Sequence, residues 1–246
     1  MRNILLKIEY DGARFEGWQT QVKGRTVQGL LTGKIAKFTS EKPNLIGAGR
    51  TDSGVHALGQ YANFKTKSEL SADQIKYKLN RMLPDDVIIT KCNDVTIDFS
   101  ARRNALSREY RYLITERLSA LDSGLSWIIN KKLDIKLLNN MARYIGGKHD
   151  FSNFCKVKSR KIDNKCVIIE CSWRRYGGRL IFEISGNRFL HNMVRLLVGS
   201  MMAVNDGKME LNHFRKLVKN EMDEKTKYIA PPYGLYLVDV KYEGIK

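Results

Sequence analysis

The sequence predicts an α+β fold. Two ferredoxin-like (split βαβ) halves are expected to join side by side into a mixed, mostly antiparallel sheet, with helices packed on it and a central basic cleft. Three observations support this expectation. The order β-α-β-β-α-β runs through residues 1–100 and returns, with one extra helix, in residues 101–246. The 246 residues suffice for two such halves with a sizeable core. Lys and Arg number 43 against 26 Asp and Glu, and the resulting +17 points to a polyanionic partner, most simply nucleic acid. A generally basic surface with no specific partner is the plainer alternative.

Each element has a local reason. Ile4, Leu6, Ile8 and Tyr10 alternate as on one face of a strand, and Asp11-Gly12 ends it. Thr26 can cap a helix whose Val27, Leu30, Leu31, Ile35 and Phe38 recur at helical spacing. A short strand is expected over residues 45–48, then a loop over residues 47–60 and a strand from about Gln60 to Lys65. Ser71-Ala72-Asp73-Gln74 reads as a capping box, opening a helix with Ile75, Leu79 and Met82 on one face. Val87 to Cys92 follows as a strand, and residues 94–106 are the expected joint.

In the second half, Ser107 to Thr115 alternates as a strand, and Asp134 can cap a helix that Gly146-Gly147 ends. Residues 166–176 and 179–185 form a hairpin across Gly177-Gly178. A helix is expected from about Phe189 to Val204, a short one near Leu211 to Lys219, and a last strand from Leu235 to Tyr242.

No apolar run approaches the ~20 residues of a membrane span, and the opening residues turn polar too soon for a signal peptide. Cys92, Cys155, Cys166 and Cys171 form no C-x-x-C pair, so reduced thiols in a cytoplasmic protein are expected instead of a disulfide framework or zinc site. The four histidines are scattered without metal-ligand spacing.

Residues 47–60, GAGRTDSGVHALGQ, carry four glycines around Asp52. Glycine allows tight turns and close approach of a ligand to the backbone. A dinucleotide-binding loop would need glycine where Asp52 stands and a helix afterwards, and no G-K-[ST] follows. Aspartic-protease chemistry would need two carboxylates sharing one proton, whereas Arg50 would hold Asp52 ionised. Two readings stay open: an Asx-turn residue, and a lone ionised aspartate acting as nucleophile or base beside Arg50.

Arg102, Arg103, Arg108 and Arg111 cluster around Tyr110 and Tyr112. Guanidinium groups bind phosphate and rings stack on unpaired bases, a combination suited to RNA. An exposed strand face over core tyrosines is equally open. Arg188 and Arg195, seven apart, are expected on one face of a single helix, with His191 at its start. Arg195 interrupts an apolar run, where a charge is costly unless paired, and Asp52 is an available partner.

These residues resemble the A family of tRNA pseudouridine synthases. The matching segments are Tyr10-Asp11-Gly12, Phe15 with Gly17-Trp18-Gln19 and Gln21, residues 25–28 and 48–60, Leu83-Pro84, Phe99 with Ala101-Arg102, Arg108 with Tyr110-Arg111-Tyr112, Gly147 with His149-Asp150-Phe151, Phe189-Leu190 with Met193-Val194-Arg195, and Gly234 to Leu237. Ser53 stands where the family usually has Ala. The resemblance implies an isomerase, an intramolecular transferase. It would convert uridine to pseudouridine at positions 38, 39 and 40 of the tRNA anticodon arm, as a cytoplasmic homodimer with no metal or small-molecule cofactor. It implies Asp52 as the catalytic nucleophile, attacking either uracil or ribose C1′, and Tyr110 stacked on the flipped uracil. It further implies Arg195 paired with the aspartate, and Arg50 and Leu235 near the nucleotide. Arg14, Arg25, Arg102, Arg108, Arg188 and His191 are candidate RNA contacts. A non-catalytic RNA-binding module and an RNA nuclease are the alternatives from other classes.

Overall fold

In the computed structural model, which describes residues 1–156 and 163–245, the alternation at the start becomes β1 (Arg2–Tyr10), with Ile4, Leu6, Ile8 and Tyr10 all buried. Thr26 caps α1 (Val27–Thr39) by accepting the Gly29 amide, and Val27, Leu31 and Ile35 form its buried stripe. Then come β2 (Ile46–Gly47) and β3 (His56–Thr66). Ser71 and Gln74 complete both arms of the capping box at the start of α2 (Ala72–Met82), and β4 (Val87–Val95) follows.

β5 (Ser107–Thr115) opens the second stretch and is followed by the two-residue strand β6 (Trp127–Ile128). Asp134 accepts the Lys136 and Leu137 amides and caps α3 (Ile135–Ile145). Beyond it, β7 (Gly147–Asp150), β8 (Lys165–Tyr176) and β9 (Arg179–Gly186) form an antiparallel run. Gly177 and Gly178 both have positive φ, 58° and 76°, as a two-residue hairpin turn of the primed type requires. The chain continues through α4 (Met193–Asn205), α5 (Leu211–Val218) and β10 (Leu235–Lys241).

Two compact units result: Met1–Leu106 with Tyr236–Lys246, and Ser107–Leu235. In the first, β1 lies between β4 and β3, antiparallel to both, which is split-βαβ topology. The free edge of β3 is shared. β2 pairs with it at Asn63 and Ala62, antiparallel. β10 pairs with its beginning in parallel, Tyr236 opposite His56 and Leu237 opposite Ala57. The division between the units falls within β10, with Leu235 in the second and Tyr236 onward in the first. In the second unit the order is β5-β9-β8-β7, with the short β6 parallel to β5. α3 lies between β5 and the β7–β8 pair in sequence, and β9 lies between β5 and β8 in the sheet, so the split arrangement recurs. β2 falls inside the strand expected over residues 45–48, whereas β6 and β7 are too short for a period-2 pattern to reveal. No helix among the described residues is long and apolar enough to cross a membrane.

Helix α4 is buried almost all round. Residues 228–230 lie directly across Gly199, where an added Cβ would fall 2.6 Å from the Tyr228 carbonyl oxygen. Gly33 in α1 has nothing within 4 Å of its Cβ position. The same substitution therefore has opposite signs at the two sites. Gly33→Ala raises the urea midpoint, by about 0.5–1 kcal/mol of helix propensity. Gly199→Ala lowers it, by about 1–3 kcal/mol of overpacking against backbone that cannot move aside.

Candidate active site

Asp52 lies in the loop between β2 and β3. The loop is Ala48–Val55, shorter than the sequence indicates, because residues 56–60 already belong to β3. They pair with β1, Ala57 opposite Tyr10 and Gln60 opposite Ile8. What looks like glycine-rich loop after residue 55 is strand, held by ladders on both sides.

Residues 15–18 clamp this loop. The Trp18 amide donates to the Thr51 carbonyl at 3.1 Å, and the Gly54 amide donates to the Phe15 carbonyl at 3.2 Å. The Ser53 hydroxyl donates to the same carbonyl at 3.2 Å. The Val55 amide donates to the Asp52 carbonyl at 3.2 Å, closing a turn in which Gly54 has φ +76°. Thr51 is buried, with its hydroxyl 2.7 Å from the Tyr10 hydroxyl. Asp52 is half-buried and Arg50 exposed.

The glycines divide by use. Gly47 lies against the Trp18 indole, where a Cβ would be 2.5 Å from Nε1, and Gly59 lies against the Val238 carbonyl on β10, also at 2.5 Å. These two admit protein instead of a ligand. The Cβ position of Gly49 is open, and Gln60 holds its carbonyl at 3.0 Å.

Behind the clamp, the Arg25 guanidinium stacks 4.0 Å from the Phe15 ring centroid. It also reaches both Asp86 oxygens, at 2.6 and 2.8 Å. The candidate RNA contact Arg25 thus has an architectural role in the protein by itself. Its hydrogen bonds hold the Asp86 carboxyl below the usual carboxylate range, against a smaller opposing effect of burial. Arg14 is exposed in the 3₁₀ turn Gly12–Arg14. Arg102 is exposed in a turn whose Ser100 amide donates to the Asn104 side chain at 2.9 Å.

His56 is a buried residue whose position its sequence context does not reveal. The Gly12 amide donates to its Nδ1 at 3.1 Å, and Asp11 Oδ1 lies 3.0 Å from the same nitrogen. Its ring stacks on Tyr236 of β10, centroids 4.7 Å apart. The sequence likewise gives no sign of the contacts made by Tyr10, Trp18 and Thr51, though each stands in a segment that carries the family resemblance.

The remaining candidates belong to the second unit. Tyr110 is buried on β5 with its ring edge-on to Phe189, centroids 5.0 Å apart. The Tyr112 hydroxyl donates to the Pro231 carbonyl at 2.8 Å, and burial pushes its phenol well above the usual range. Leu235 is buried at the start of β10. The Arg108 Nη1 donates to the Asn187 carbonyl at 2.8 Å.

Helix α4 begins at Met193, not at Phe189. Asn192 adopts the left-handed conformation, φ +65°, which asparagine tolerates and a helix does not. Arg188 and His191 consequently lie in the approach to the helix, and Arg188 does not share a helical face with Arg195. Arg188 is half-buried and His191 exposed. Arg195, half-buried on the first turn of α4, donates from Nε to the Ala230 carbonyl at 2.9 Å and from Nη1 to the Asn192 side chain at 3.3 Å. These acceptors offset part of the cost of placing its charge in an apolar run.

Cys92 and Cys166 are buried, and burial pushes their thiols to about 12 and about 11, far from nucleophilic poise.

A family model described as tRNA pseudouridine synthase matches residues 7–102 and 141–243. The chain belongs to this family, isomerases that convert uridine in tRNA to pseudouridine. Among curated relatives, the tRNA pseudouridine synthase A of Acetivibrio thermocellus is 43% identical, over 98% of this chain and all of its own length. Proteins of the same name from Caldicellulosiruptor bescii and Chlorobium luteolum are 40% and 39% identical, each over 98% of this chain, covering 100% and 96% of their own lengths. Tyr110 lies outside the two blocks of the family model but inside the length shared with the relatives.

The Arg25–Asp86 pair gives the first unit a defined acid sensitivity. The folded Asp86 carboxyl titrates below its unfolded value, so its stabilisation is complete above about pH 5 and is lost as pH falls through the folded value. Asp86→Asn should lower the unfolding free energy at neutral pH by about 1 kcal/mol, since the pair is partly exposed. The gap between variant and wild type in urea unfolding should close below about pH 4.

Proposed function

We propose that the protein isomerises uridine to pseudouridine at positions 38, 39 and 40 of the tRNA anticodon stem-loop, with Asp52 as nucleophile, as a cytoplasmic homodimer using no metal or small-molecule cofactor. The observation that carries the reading is the half-buried aspartate on a turn clamped from both ends, in a chain of this family. A nucleophile gains most from a scaffold that fixes its direction before substrate arrives.

In the reaction the glycosidic N1–C1′ bond breaks and a C5–C1′ bond forms. The C5 proton leaves, a proton is placed on N1, and the net composition is unchanged. Asp52 forms a transient bond, to uracil C6 or to ribose C1′, that holds one fragment while the base turns. The target base must leave its stack, at a cost of a few kcal/mol that is smaller in a loop. Tyr110 stacks on the extruded uracil, Arg195 favours the ionised form of Asp52, and Arg50 and Leu235 flank the nucleotide. Arg14, Arg25, Arg102, Arg108, Arg188 and His191 hold the RNA backbone. In this division the first unit carries the nucleophile, and the second carries Tyr110 and Arg195.

Asp52→Asn tests the assignment. With unmodified tRNA transcripts, the variant should fold normally and lose pseudouridine formation by roughly 10³-fold or more. Product is read as carbodiimide-resistant adduct at unchanged mass; a wild-type rate for Asp52→Asn would overturn the assignment, and a cleaved or metal-dependent product would favour a nuclease. Mapping pseudouridine in tRNA from a strain lacking the gene fixes the positions.

Tyr110→Phe separates stacking from proton transfer. Tyr110→Phe keeps the ring, so tRNA affinity should stay within about twofold, whereas losing a stacked ring costs about 1–3 kcal/mol per base. A lower single-turnover rate at unchanged affinity would assign the hydroxyl to proton movement.

A further inference from the structure

The aim of Asp52 depends on backbone torsions at residues 51–53, and the structure shows what fixes them. The Thr51 carbonyl is fixed by the Trp18 amide, and the Asp52 carbonyl by the Val55 amide. The Thr51 side chain is fixed separately, by the buried contact of 2.7 Å with the Tyr10 hydroxyl. Both residues are almost fully enclosed, Tyr10 at 3% and Thr51 at 7% exposure. The Tyr10 ring is itself wedged near Phe15 and Trp18, each centroid 6.4 Å away. Gly17, with φ +92°, brings its backbone so near that a Cβ there would lie 2.6 Å from the Thr51 carbonyl oxygen and 3.1 Å from the Asp52 carbonyl carbon. Thr51 is β-branched and stiff about χ1, so fixing its hydroxyl also fixes its backbone.

We propose that Tyr10 and Thr51 are positioning residues for the isomerisation: their buried hydroxyl pair sets the direction of the Asp52 carboxylate. Neither touches the reacting atoms. Their effect is on orientation, where displacement of about 1 Å can cost roughly 10²-fold in rate. The inference rests on Asp52 being the nucleophile.

Tyr10→Phe removes one oxygen and keeps the ring packing. It should lower single-turnover kcat about 10-fold to 100-fold with KM for tRNA unchanged, since the loss is in alignment and not in binding. Thr51→Val should do the same, and the double variant should be no slower than the slower single variant, because both remove one contact. Thr51→Ser, which restores the hydroxyl, should recover kcat relative to Thr51→Val. If Tyr10→Phe fails to fold, the comparison of Thr51→Val with Thr51→Ser decides alone. Equal kcat for those two, a Tyr10→Phe kcat within about twofold of wild type, or a change confined to KM would each overturn the inference. Failure of the underlying reading is distinguishable. An active Asp52→Asn removes the nucleophile assignment, whereas an inactive Asp52→Asn beside a fully active Tyr10→Phe removes only the positioning role.

Discussion

The candidate active site depends on one constraint: the backbone of residues 51–55 is hydrogen-bonded to residues 15–18. A loop of eight residues would ordinarily sample many conformations, and fixing each residue costs about 1–2 kcal/mol. Here the Trp18 amide, the Phe15 carbonyl and the Val55 amide occupy the polar groups of the loop, while the indole of Trp18 fills the space left by Gly47. The ordering cost is met during folding, before any substrate is present. Arg25 and Asp86 support the clamp from outside by packing a guanidinium on Phe15.

The candidate RNA-contacting and site arginines differ in their physics. Arg25, Arg108 and Arg195 donate to fixed oxygens of the protein, on Asp86, Asn187 and Ala230 respectively. Those contacts fix the direction of each side chain. Arg14 and Arg50 are exposed, and an exposed cation acts mainly through long-range attraction that salt screens. Net charge thus accounts for a general attraction to a polyanion, while the orienting contacts arise from particular carbonyl and carboxylate partners that composition does not reveal.

Elements with strong local signals were readable from the sequence. The capping box at Ser71, the caps at Thr26 and Asp134, and the Gly177-Gly178 hairpin each fix an element by interactions within a few residues, and each appears as expected. Features decided by distant partners were not readable. His56 to Gln60 look like loop until β1 and β10 are beside them. The start of α4 depends on the left-handed Asn192, and a periodic apolar pattern continues through that residue without showing the break. The motif around Asp52 points to it as the candidate nucleophile. The reason it is held in place came from Tyr10, Trp18 and Thr51, whose importance lies in contacts across 33 to 41 positions of sequence.

The shared edge of β3 has a consequence for how the molecule is made. β3 receives β10 at its first residues, immediately after the Asp52 loop, and His56 there stacks on Tyr236. In sequence, the whole second unit separates these partners. During synthesis the strand that follows the Asp52 loop therefore waits, with an open edge, until the entire intervening unit has left the ribosome. Pairings of such high contact order form late, and an uncovered strand edge is a site for association with other chains. Completion of the site is thereby coupled to the emergence of β10: a nascent chain carries Asp52 well before it acquires the strand that pairs with the residues following its loop.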